Sequence, residues 1–356
     1  PATRKSLEQS VAYLASPPEG RMLALVPAQS GLYFTDCPNC DKGTQDRGNF
    51  AWTPEQPDRL TCKDCGAAYP DNPKYPDDKV LEVAAPGGVH RYPYYERPGD
   101  KYRLYFRAHA DYWAREYLAD KCRDLAKLYA LTEDEAHARR AAAILLRFAE
   151  VYPGYAYHFD YPFREKLFAP YTQNRIPGVG EYRTARWTWW AYMDVSLELA
   201  EAYEHLRAWA PLKGMAGGRA VEKIERDLLG AMGEFVLGFD ETYSNMSPGT
   251  WRDVIVAGRV LQRPEWVHEA VRRFEQFLQG RFLYDGHWME TAPSYCSQVI
   301  GGLQIVLEAT KGHSDPPGYT DAKDGRRFDD LDLSKDTPQY ALANRALLAP
   351  RLPTAG

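Results

Sequence analysis

Four cysteines stand in two Cys-x-x-Cys pairs, Cys37-Pro38-Asn39-Cys40 and Cys62-Lys63-Asp64-Cys65, with 21 residues between them. Two such knuckles bring four thiolates around one Zn²⁺ in a tetrahedron without strain. The intervening loop is one residue beyond the usual span, which a loop absorbs. Gly66, directly after the second pair, helps the backbone turn toward sulfur. Two disulfides or a redox pair would use the same residues. A thioredoxin-type motif, however, needs one Cys-x-x-Cys in a βαβ setting, and none is evident. The expected cofactor is therefore zinc held by Cys37, Cys40, Cys62 and Cys65. With every position filled by cysteine, the site is closed and structural.

A second pair of segments carries groups suited to proton transfer and charge stabilisation. One is Ser244-Asn245-Met246-Ser247-Pro248-Gly249-Thr250-Trp251. The other is Asp285-Gly286-His287-Trp288-Met289-Glu290-Thr291-Ala292-Pro293-Ser294-Tyr295. Each residue also has a plain structural reading. An Asn before Ser-Pro-Gly commonly shapes a turn, Tyr295 is one of 25 tyrosines, and Glu290 can pair with an arginine.

In their order and spacing these segments resemble the heparinase II/III-like polysaccharide lyases, the family of alginate- and heparin-lyase-type toroids. Arg183-Thr184-Ala185-Arg186-Trp187 is similar to that family's earlier cleft helix, and the paired cysteines look like the metal ribbon some such lyases carry. The resemblance runs over most of residues 31–312. It implies that Asn245 neutralises a uronate carboxylate and that Tyr295 is the acid/base. It also implies substrate contacts from Arg183, Arg186, Trp187, Trp251, Arg252, His287 and Glu290. The chemistry would be β-elimination, in which the weakly acidic C5 proton beside a uronate carboxylate is removed. A donor such as Asn245, placed where negative charge develops, favours the enolate-like state. Tyrosine side chains, with an ordinary pKa of about 10, are better acids than bases unless cations lower it; Arg183, Arg186 and Arg252 are the candidate cations.

Two positions depart from the family pattern: Met246 and Cys296 stand where many relatives carry histidine. His287 and His158 remain as nearby histidines. Two other functions compete. A glycoside hydrolase would use a carboxylate pair such as Asp253 and Glu290, and a glycan-binding module would have no turnover.

The elements that must position these groups are helical from Lys101 onward. Tyr117 or Leu118, Cys122, Leu125 and Tyr129 recur at helical spacing. Thr132 and Glu135 read as a capping box between two helices, and Ile144, Leu145, Phe148 and Val151 carry the apolar face of the second. Further helices are expected over 183–210, 219–238, 250–261, 264–279 and 294–311, with another beginning near Thr337. Residues 1–30 predict a short helix and a connection, and 31–75 the cysteine module. The Pro- and Gly-rich stretch from Asn72 to Asp100 predicts a surface loop. The fold class is thus mainly α: an incomplete (α/α) toroid of helical hairpins over 76–356, with a zinc-ribbon-like module.

Composition bounds the partners. The chain has 356 residues, 44% of them hydrophobic, which allows a sizeable core. Its net charge of −5 lacks the basic field that grips nucleic acid. Aromatic residues reach 13%, suited equally to a Tyr-rich core or to stacking on the flat faces of sugars. The expected partner is an acidic polysaccharide or oligosaccharide, with no nucleic acid. No 18-residue apolar run is present, so no membrane span is expected. The start at Pro1 and the end soon after the helix near Thr337 predict a fragment. The resemblance implies a missing C-terminal β-sandwich carrying a further histidine, weak binding and poor turnover by these residues alone, and a periplasmic or secreted location.

Overall fold

The computed structural model describes residues 2–32, 35–40, 42, 49–99, 102–159, 168–169, 184–185, 195–238, 241, 243–290 and 292–346. The chain is mainly helical and divides into two compact units, Pro1–Phe239 and Asp240–Gly356. No described helix is long and apolar enough to cross a membrane.

The first unit opens with three short helices, α1 (Ala2–Ser10), α2 (Ala12–Ala15) and α3 (Glu19–Leu23). A small antiparallel sheet follows, in the order β1 (Phe50–Thr53), β2 (Gln56–Cys62), β3 (Ala68–Tyr69). Cys62 ends β2 opposite Phe50. Tyr69 stacks on Phe106 with ring centroids 4.2 Å apart, so the cysteine module rests on the start of the next long helix.

The expected loop over Asn72–Asp100 is instead a second antiparallel sheet: β4 (Lys79–Ala85), β5 (Gly88–Glu96) and β6 (Arg103–Leu104). Val83, Ala85, Tyr92 and Tyr94 alternate inward and share a core with Leu32, Tyr105 and Ala108. Pro93 lies inside β5, but β6 pairs only with Tyr95 and Glu96. The flank of β5 beside Pro93 is therefore open, where a missing N–H costs no ladder bond. Gly87 forms the turn between β4 and β5 and donates its N–H to the carbonyl of Gly154. A Cβ on Gly87 would meet Gly154 Cα at 2.9 Å. The two backbones touch because neither residue has a side chain.

The central element is α4 (Phe106–Thr132), against which α5 (Glu135–Val151) and α6 (Leu197–Leu206) pack. Ile144, Leu145, Phe148 and Val151 are buried, as their spacing requires. The cap between α4 and α5 differs from the expected box. Glu133 takes a left-handed conformation, φ +58°, and the Asp134 carboxylate accepts from Ala136 N at 2.9 Å. The Thr132 hydroxyl bonds back to Leu128 O at 2.7 Å. Two positions compete to start the helix, and the acidic one wins because it sits directly before the first turn.

His109 on α4 is 4% exposed. Its Nδ1–H donates to Leu32 O at 3.0 Å and its Nε2 accepts from Trp113 Nε1 at 3.1 Å, which defines a neutral ring. Burial pushes its pKa down to about 4, against about 6.5 in an unfolded chain. Between those values the unfolded chain binds more protons. This histidine's contribution to stability is therefore full above about pH 6.5 and is lost as pH falls toward 4. In an NMR titration the His109 ring should keep its neutral signals down to about pH 5; titration near 6.5 would contradict the assignment.

The first unit continues with β7 (Tyr157–Phe159), β8 (Phe168–Ala169) and β9 (Thr184–Ala185), which form a small antiparallel sheet. Thr184 and Ala185 are thus paired strand residues, where a helix over 183–210 was expected; the described helix starts at Leu197. After α6 come α7 (Met215–Gly218), α8 (Ala220–Glu222), a π-helical stretch over Lys223–Gly230 and α9 (Ala231–Leu237).

The second unit consists of α10 (Ser247–Val260), α11 (Pro264–Gly280), α12 (Pro293–Thr310), α13 (Leu333–Asp336) and α14 (Pro338–Ala346). Helix α10 packs on both α11 and α12. Trp251, Val254, Ile255, Val267, Phe274, Phe277 and Leu303 fill the core of this unit.

Candidate functional site

Asn245 sits in the turn that opens α10. The turn is closed by local bonds: Ser247 N to Ser244 O at 3.1 Å, Ser244 N to Ser247 Oγ at 2.9 Å and Met246 N to Ser244 Oγ at 3.2 Å. Beneath it lies a carboxylate that the sequence does not single out. The Glu241 side chain is only 4% exposed. It accepts from Trp251 Nε1 at 2.7 Å, Ser247 Oγ at 2.8 Å and Tyr243 N at 3.0 Å, with Arg273 Nη1 at 3.6 Å. Charge-assisted bonds of this kind are the stronger class, and three of them tie the turn to the core.

The first motif segment meets α12 three residues beyond the end of the second. Asn245 Nδ2 donates to Gln298 Oε1 at 3.3 Å, and Gln298 Nε2 points at Met246 Sδ at 3.5 Å. Gln298 lies three residues after Tyr295 on α12, so the two side chains share a helix face. Tyr295 is 46% exposed. The close approach of α10 to α12 relies on Gly302, where a Cβ would meet Pro248 Cβ at 3.0 Å. Both helices carry a proline in the first turn.

The other expected contacts fall differently. Trp251, expected to touch substrate, is 1% exposed and packed edge-on against Phe277, so no face of its ring is open to a sugar. Its role is to hold Glu241. Arg252 pairs with the buried Asp253 through Nε. Glu290 accepts from Trp288 Nε1 at 2.8 Å. Both carboxylates suggested for a hydrolase are therefore engaged within the fold. His287 rests against Asp285, Nδ1 to Oδ2 at 3.3 Å, and its backbone N–H reaches Asp285 Oδ1 at 3.0 Å. The hydrogen bond from the His287 N–H is the main influence holding the Asp285 carboxyl below the usual range. Arg183, Arg186 and Trp187 lie outside the described residues, as does the side chain of His158.

The four cysteines form a second centre within the first unit. Cys37 Sγ and Cys65 Sγ are 3.7 Å apart, Cys40 Sγ and Cys62 Sγ also 3.7 Å, and all four sulfurs lie within 4.8 Å of one another. A disulfide requires about 2.05 Å. Four sulfurs about 2.3 Å from a common centre in a tetrahedron are about 3.8 Å apart, so the spacing suits a bound ion. The Asn39 amide donates to Cys65 Sγ at 3.4 Å and brings that thiol down to about 6. Asn39 is itself held by Tyr75 and Lys74, and the Tyr69 hydroxyl lies 3.3 Å from Cys37 Sγ. Gly66, at φ +74°, donates its N–H to Cys62 O at 2.9 Å, completing the second knuckle. Among the described residues one further group, His268 with Asp321 and Asp324, also gathers ligand atoms within 4.8 Å. There, Arg272 Nη1 lies 2.8 Å from Asp321 and 3.1 Å from Asp324, so a guanidinium already supplies the positive charge.

No protein-family model matches the chain, and no curated protein matches it. Solved structures do. A ligand-free histidine-to-alanine variant of alginate lyase A1-III is 14% identical, with a TM-score of 0.42, over 67% of this chain and 58% of that one. A tyrosine-to-phenylalanine variant of the same lyase, complexed with tetrasaccharide, is 13% identical with a TM-score of 0.42, over 70% and 62%. The chain thus spans about six-tenths of the length of the alginate lyase structures to which it is similar.

Proposed function

We propose that the chain is the helical, sugar-binding part of a polysaccharide lyase that cleaves a uronate-containing polysaccharide by β-elimination. One observation carries the reading: Asn245 hydrogen-bonds Gln298, which lies one helical turn beyond Tyr295 on α12, although Asn245 and Tyr295 are 50 residues apart in sequence. Asn245 stabilises charge on the uronate carboxylate as the C5 proton leaves, and the half-exposed Tyr295 hydroxyl passes a proton to or from the substrate. Arg252 and His287 are the candidate substrate contacts among the described residues of the second unit, and the sequence resemblance adds Arg183, Arg186 and Trp187. In this reading the helical hairpins belong to an incomplete (α/α) toroid, and the protein works in the periplasm or outside the cell.

The cysteine module in this reading is a zinc-ribbon-like element. Cys37, Cys40, Cys62 and Cys65 hold one Zn²⁺, which supplies cross-linking of the module and no chemistry at the sugar.

Incubation with alginate-, heparin- and chondroitin-type polysaccharides should release products bearing the ultraviolet absorbance of an unsaturated uronate. Saturated products would identify a hydrolase instead. Binding with no product from any form of the protein would identify a glycan-binding module.

A further inference from the structure

Gln298 ties the first motif segment to α12, the helix that carries Tyr295. Its Oε1 accepts one proton of the Asn245 amide at 3.3 Å, and that bond orients Asn245 Nδ2. Its own Nε2 is spent on Met246 Sδ at 3.5 Å. A thioether is a weak acceptor, so this bond is exchanged at little cost for a better one. A carboxylate oxygen is a much better one, since hydrogen bonds to an ionised acceptor are about twice as strong as neutral ones. Gln298 is exposed, beside the exposed Tyr295 on the same face of α12, so an incoming group reaches it without rearrangement of the core. Neither amide carries a formal charge. The recognition is by N–H direction.

We propose that Gln298 and Asn245 form a two-amide clamp for the carboxylate of the bound sugar, and that Gln298 selects the ionised carboxylate over its ester. In the clamp, Asn245 Nδ2 gives its second proton to one carboxylate oxygen. Gln298 Nε2 leaves Met246 and donates to the other. The Asn245–Gln298 bond stays in place and keeps the two donors side by side. The inference rests on the lyase reading for the identity of the ligand, and adds to it which residue reads the charge. Gln298 acts on binding and specificity; the proton transfer belongs to Tyr295.

The test uses tetrasaccharides derived from alginate, heparin and chondroitin, each as the free acid and as the methyl ester, titrated calorimetrically into the wild-type chain and two variants. Gln298→Met keeps the length of the side chain and removes the donor. Gln298→Glu replaces the donor with a like charge. The wild type should bind at least one free acid more tightly than its ester. Gln298→Met should lose roughly tenfold in affinity for the acid, the effect of one hydrogen bond to a charged group, and change little toward the ester. Gln298→Glu should lose more toward the acid and again little toward the ester. If both variants keep the wild-type preference for the acid, the clamp is wrong while the lyase reading stands. If the wild type binds none of the acids, the lyase reading falls, and this inference with it. A merely structural role for Gln298 would weaken acid and ester alike, which also refutes the proposal. Thermal melts of the variants should match the wild type, since Gln298 lies on the surface.

Discussion

Replacing Tyr295 with phenylalanine should lower turnover of the uronate polysaccharide by about two to four orders of magnitude, measured in any form of the protein with activity, and leave substrate affinity nearly unchanged. Tyr295 stands in the first turn of α12, 46% exposed, with its ring free to touch a sugar. The substitution deletes only the hydroxyl. Ring area and packing stay, so the ground-state complex forms as before, and what disappears is an interaction made as the proton moves. The expected kinetic signature is a fall in kcat with KM held. A variant with near-normal kcat would remove Tyr295 from the chemistry. A variant that loses affinity and keeps kcat would reassign it to substrate stacking.

The second large effect concerns the cysteine module. The purified, reduced chain should carry one equivalent of zinc by elemental analysis, and Cys62→Ser should abolish it. Cys62 is buried at the end of β2, and the module's own apolar content is small: Phe50, Leu60, Tyr69 and Tyr75 carry most of it. Metal binding in modules of this size contributes on the order of 10 kcal/mol to folding, about as much as burial of all four of those side chains supplies. Hydrogen exchange in the variant should therefore rise across residues 49–75, while the core helices α4 and α5 keep their protection. Wild-type protein free of zinc would end the zinc proposal, and unchanged exchange in Cys62→Ser would end the claim that the ion holds the module together.

Sequence pattern was informative where a single physical rule dominates. The helices of both units follow the recurrence of apolar residues every three or four positions, and α10, α11 and α12 lie within a few residues of their expected spans. The four cysteines, paired in sequence, also come together in space, with all four sulfurs within 4.8 Å of one another. Where two rules compete, the reading failed. In β4 and β5 the prolines and glycines weighed as loop signals, while only Val83, Ala85, Tyr92 and Tyr94 spoke for an inward face. Trp251 had a signal that was overlooked: Val254 and Ile255 follow it at helical spacing on the same buried side, which makes it a core residue. Glu241 had none. An isolated carboxylate six residues before Ser247 carries no motif, and only folding shows that three donors converge on it. Gln298 is visible from sequence only as Tyr295 plus one turn; its meaning depends on Asn245 arriving beside it.

The contact between Gly87 and Gly154 has a bearing on how this chain can change over time. Sixty-seven positions separate the two residues, but each occupies the space a side chain on the other would need. They therefore act as a single locus. Once either has acquired a methyl group, the hairpin tip has to lift from the end of α5, and a second methyl group on the other side then does little further harm. Among related proteins the pair should be inherited together or lost together. A lineage that lengthens the β4–β5 hairpin should be one in which both glycines have already gone.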